Sequence, residues 1–83
     1  MLYTIYEGTK ATLKDSQFTF SCEPDDIDTA YDVLAENVHL NNQSQNSEDL
    51  LNFQNAKDDN VKIMLNDMKQ MGFIGNWEAT NLE

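Results

Sequence analysis

The sequence predicts an α+β domain, and three observations carry that reading. The first 22 residues are crowded with aromatic and β-branched side chains that alternate with polar ones. From Ile27 onward the apolar positions change to a helical period. The chain has 83 residues, 40% of them apolar, which suits one small core and one domain spanning 1–83. The expected architecture is a small antiparallel sheet of two or three strands within 2–22, followed by two or three helices over about 24–37 and 47–71.

Each element has its own local cause. "LYTIY" (2–6) is rich in strand-forming types, and "EGT" after it turns the chain. "KATLK" (10–14) puts Ala11 and Leu13 on one face, and "DS" at 15–16 makes a short turn. "QFTFSC" (17–22) alternates, with Phe18, Phe20 and Cys22 expected inward and Gln17, Thr19 and Ser21 outward. A sheet that is apolar on one face needs a cover there. The following helix supplies it. Pro24 suits a first helical turn, where a missing N–H costs nothing, and Asp25 and Asp26 suit the positive end of the helix dipole. Ile27, Ala30, Tyr31, Leu34 and Val38 then share one helical face, and the helix is expected to end near Asn37.

Residues 39–47, "HLNNQSQNS", read as a polar loop. Ser47 is the expected N-cap of the next helix, with Glu48 and Asp49 in its first turn. Leu50, Phe53, Val61, Met64, Leu65 and Met68 keep a helical period across "KDDN" (57–60). This allows one helix over 47–71 or two hinged at Asp58 and Asp59. Gly72 is the expected stop. The tail retains Phe73, Ile74 and Trp77, which should fold back onto the core.

Charge is the outlier. There are 15 Asp and Glu against 5 Lys and Arg together, giving a formal net charge of −10. Such a chain repels nucleic acid and anionic membranes and attracts basic surfaces. No apolar run approaches the roughly 18 residues needed to span a bilayer. "MLYTIYEGTK" lacks the basic and apolar stretches of a signal peptide, so a cytosolic protein made at its working length is expected. With one cysteine, Cys22, no internal disulfide forms, and a small buried apolar role is expected for it.

The stretch "EPDDIDTAYDVLAENV" (23–38) contains no Lys or Arg among its acids. At 100° per residue, Asp25, Asp28, Asp32 and Glu36 fall at about 0°, 300°, 340° and 20°. They make a row roughly 80° wide, and the apolar face centres near 200°. Along the axis the carboxylates are spaced by about 4.5 to 6 Å, close to the separation of phosphates on a nucleic-acid strand. Asp26, Glu48, Asp49, Asp58 and Asp59 are supporting charge, and Asp67 can extend the surface. In size, charge and layout this resembles small phage-encoded nucleic-acid mimics of the anti-restriction and anti-CRISPR type. The resemblance implies an inhibitor or decoy that occupies the basic surface of a nucleic-acid-binding protein and binds no nucleic acid itself. The same row also serves a chain that needs only solubility. The alternative function is a homodimeric or adaptor protein that uses the apolar face of the 47–71 helix.

Other chemistry finds little support. His39 is the only histidine, and nothing in the spacing pairs it with Cys22 as a base with a nucleophile. The acids lack the spacing and turn glycine of a calcium loop, and one His with one Cys is too few for a transition-metal site. No catalytic, cofactor or metal residue is therefore assigned. Met71, Gly72 and Phe73 resemble the tripeptide of ubiquitin-associated domains, but that family needs two further helices, so Gly72 is read as a stop and Phe73 as a core anchor.

Overall fold

The computed structural model describes residues 1–40 and 47–81. The elements run β1 (Leu2–Glu7), β2 (Ala11–Leu13), β3 (Gln17–Ser21), α1 (Ile27–Asn37), β4 (Val38–Leu40), α2 (Ser47–Asn55), α3 (Val61–Met71) and β5 (Ile74–Thr80). The fold is α+β, as the sequence predicts, but its sheets are assembled differently. The main sheet is antiparallel with order β3-β1-β5, so its third strand comes from the C-terminal tail. The expected second strand, β2, lies instead in a two-stranded antiparallel sheet with β4. Strands therefore do not all fall within 2–22.

Register explains which side chains reach the core. Tyr3 lies opposite Phe20 on one side and Ala79 on the other, and Ile5 lies opposite Phe18 and Trp77. These residues share one face of the pleat. Tyr3 and Ile5 are fully buried, and the Tyr3 and Phe20 rings stack at 5.3 Å. The opposite face carries Thr4, Thr19 and Glu78, and there the Tyr6 hydroxyl donates to the Glu78 carboxylate at 3.1 Å. Cys22 falls just beyond the end of β3 but packs inward, half-buried against the core as Phe18 is.

Helix α1 starts later than expected. Asp26 is its N-cap, accepting from the Thr29 N–H at 3.3 Å, and Pro24 and Asp25 form a turn outside the helix. A side-chain acceptor at this position satisfies a backbone N–H that the first helical turn otherwise leaves without a partner. The helix stops at Asn37 because Val38 turns extended (φ −96°, ψ 118°) and joins β4. The expected loop therefore begins with a strand. Its remainder, 41–46, lies outside the described residues, as does the side chain of Ser47.

The 47–71 segment forms two helices. Asn60 caps α3 by accepting from the Lys62 N–H at 2.9 Å, which starts a new helix where a continuous one would need Asn60 inside it. Gly72 ends α3 in the left-handed conformation (φ 86°), with its N–H on the Lys69 carbonyl and the Phe73 N–H on the Met68 carbonyl. That pair of bonds is the Schellman arrangement. The Gly72 carbonyl accepts from the Thr9 and Lys10 N–H groups at 3.0 and 2.8 Å, binding the β1–β2 turn to the start of β5.

Every element contributes to one core. Ala30 and Leu34 of α1, Val38 of β4, Phe53 of α2, and Val61, Met64, Leu65 and Met68 of α3 close over the sheet with Phe73 and Ile74. Leu50 departs from its expected core position and is 50% exposed, as are Leu51 at 54% and Ile63 at 48%.

Candidate acidic interface

Asp28, Asp32 and Glu36 lie on the solvent side of α1, and Ala30 and Leu34 hold its other side in the core. The helix is thus anchored on the face opposite the carboxylates. Asp25 precedes the helix in the turn, so the helical angle expected for it does not apply. Its carbonyl accepts from the Ile27 N–H at 3.0 Å, and its side chain is exposed. Asp26 is half-buried by its capping role.

A backbone contact brings a second acidic segment to this turn. The Val61 N–H donates to the Pro24 carbonyl at 2.9 Å, seating the α2–α3 connection beside the β3–α1 turn. Asp58 and Asp59 are both exposed in that connection, where the Asp58 carboxylate accepts from the Asp59 N–H at 2.6 Å. Residues far apart in sequence, Asp25 and Asp26 with Asp58 and Asp59, thus flank one contact. Glu48 and Asp49 stand in the first turn of α2, at the opposite end of that helix from Lys57. Asp67 lies on α3, half-buried beside α2.

The row is not uniformly negative. Lys57, from the same connection, places its Nζ 2.9 Å from Asp28 Oδ1 and 5.2 Å from the Tyr31 ring centroid. The bond to Asp28 raises the Lys57 pKa, against the opposing effect of desolvation. Both partners are well exposed, at 44% for Lys57 and 87% for Asp28, so the pair adds little to stability. It does neutralise one site of the row. Sequence reasoning expected no cation there because it compared only neighbours on the same helix. The one available sign was Lys57 itself, next to the proposed hinge. Asp32, Glu36 and Asp25 enter no ion pair among the described residues.

Phe53 fixes this arrangement from below. Its ring lies 5.7 Å from Tyr31 and 5.5 Å from Phe73, so α2 is clamped between α1 and the start of β5. Cys22 follows the main sheet and His39 belongs to the small one. Burial raises the Cys22 thiol pKa, with Asp26 adding to the shift, so the thiol stays protonated and weakly nucleophilic. Among the described residues no three His, Cys, Asp or Glu side chains converge on a metal-sized site, and no helix is long and apolar enough to cross a membrane. Comparison with protein-family models, with curated proteins and with solved structures found no match.

Proposed function

We propose that this chain is a small acidic decoy that binds the basic surface of a nucleic-acid-binding protein: a nuclease, a restriction complex or a CRISPR effector. The supporting observation is the bond between Val61 and Pro24, which sets Asp58 and Asp59 beside the turn leading into Asp28, Asp32 and Glu36. Carboxylates on a rigid helix, anchored by Ala30 and Leu34, meet a basic groove without first being ordered. Binding then releases the anions that screen the groove, so affinity falls steeply with salt. The compartment of such an inhibitor is the cytosol of a bacterial host, and a basic protein surface is its partner. No membrane or direct nucleic-acid contact is part of the reading.

The competing reading is a homodimer or adaptor that docks through apolar helix surface. Met64, Leu65 and Met68 are spent on the core, so that reading rests on exposed Leu50, Leu51 and Ile63. A pull-down from bacterial lysate at low salt separates the two. A decoy releases its partner to short duplex DNA or to about 1 M salt, and loses it when Asp28 and Asp32 become Asn. Retention through both treatments, with loss on Leu51→Ser, would sink the decoy reading and favour the adaptor.

A further inference from the structure

Away from the carboxylate row, a groove of about 300 Å³ opens between α2 and α3, lined by Asn52, Asn55, Ala56, Asp67, Gln70 and Met71. None of the row's residues lines it. Three side-chain amides and one carboxylate on its lining have oxygens that can accept, and Met71 supplies apolar surface beside the buried Ala56. Its volume is at the low end for ligand sites, which run from about 300 Å³ upward, so it suits one side chain.

The lysines of the α2–α3 segment are directed away from Asp67. Lys57, next to Ala56, is held at Asp28. On α3, Lys62 and Lys69 lie about 140° and 160° around the helix from Asp67, so neither shares its side. Asp67 enters no ion pair among the described residues. The groove therefore offers a carboxylate outside any ion pair, set among neutral side-chain amides.

We propose that the groove receives an arginine side chain from the basic protein partner. A guanidinium presents five N–H donors in one plane and no acceptor, suited to the oxygens that Asp67 and the three amides can turn toward it. Its methylene stem covers the Met71 surface. A lysine ammonium has three donors, is more strongly hydrated, and leaves more of those oxygens unpaired. The choice of occupant rests on the decoy reading, because a basic partner is what supplies the arginine. The groove would act as a specificity contact beside the less selective carboxylate row.

The test is an NMR titration of the full chain, ¹⁵N-labelled, with a capped Gly-Arg-Gly peptide, its lysine counterpart and free arginine. The arginine peptide should shift the side-chain amides of Asn52, Asn55 and Gln70 saturably, and the lysine peptide should bind several-fold more weakly. Asp67→Asn should weaken arginine-peptide binding about tenfold, the usual consequence of losing a charge-assisted bond. Gln70→Ala is the second variant should Asp67→Asn disturb the spectrum, and Asp15→Asn is the control expected to change nothing. Equal binding of the lysine peptide, tighter binding of free arginine, or equal losses from Asp67→Asn and Asp15→Asn would each overturn the proposal, as would no saturable shift. Because the peptides carry no basic groove of their own, the readout is separate from the pull-down. A silent titration with a DNA-displaceable partner removes the arginine contact alone; saturable shifts without such a partner remove the decoy reading alone.

Discussion

Replacing Gly75 by alanine tests the pairing of β5 with β1. A Cβ at this position would stand 2.4 Å from the Glu7 carbonyl oxygen and 3.3 Å from that of Tyr6. Both obstacles are backbone, so no side chain can rotate away. Ordinary carbon contacts need about 3.5 Å, so β5 must retreat by about 1 Å. That displacement stretches neighbouring ladder bonds beyond hydrogen-bonding range, at roughly 1 kcal/mol each. Overpacking adds about 1 to 3 kcal/mol, and the reduced freedom of the unfolded chain returns about 0.4 to 1. The net loss is about 2 to 4 kcal/mol. Gly72→Ala is the matched comparison. There the strain is the positive φ of 86°, costing about 1 to 2 kcal/mol, and the nearest atom is the Thr9 side-chain oxygen, which can move. Urea unfolding followed by circular dichroism measures both. Gly75→Ala should be the more damaging; a loss no larger than that of Gly72→Ala would mean that β5 does not pack against Glu7 as described.

Three further outcomes are expected. Lys57→Gln should leave stability almost unchanged, because its pair with Asp28 is exposed, and should steepen the salt dependence of partner binding by freeing Asp28; a large stability loss would contradict the exposed geometry. Tyr3, Tyr6 and Tyr31 all have raised pKa values, from burial at Tyr3 and Tyr31 and from the Glu78 bond at Tyr6. Each phenol ionises more readily in the unfolded chain, so their stabilising contribution is full below about pH 10 and declines as pH rises through the folded values. Absorbance titration of the folded protein should show no tyrosine ionising at or below the ordinary value. Met64→Ala should cost about 2 to 5 kcal/mol in thermal or urea unfolding, since the side chain is fully buried, whereas Leu51→Ala at a half-exposed site should cost almost nothing. Similar losses from both would place Met64 outside the core.

Legibility followed the range of the interaction. Gly72 as a stop is local chemistry, since only the backbone bonds within the last turn and a tolerated positive φ are involved. The apolar face of α1 is also local, and Ala30 and Leu34 are buried where the period put them. Pro24 misled because a proline fits both a first helical turn and the turn before a helix. The capping bond of Asp26 decided between them. The candidate site divides in the same way. Asp28, Asp32 and Glu36 could be placed on one face from their spacing, but Lys57 could not be placed among them.

By itself, the sequence determined the fold class, the apolar faces of the helical segments apart from Leu50, the excess of negative charge and the acidic stretch over 23–38. These depend on residues a few positions apart, whose relative placement a helix or strand imposes. Tertiary structure alone decided that "IGNWEAT" is a strand beside β1, that β2 leaves the main sheet for β4, and that the α2–α3 connection carries both Asp58 and Asp59 and the neutralising Lys57 to the α1 turn. A strand's own residues state that it must pair, but not with which edge. That choice belongs to the shared core and to the close backbone approach that Gly8 and Gly75 permit.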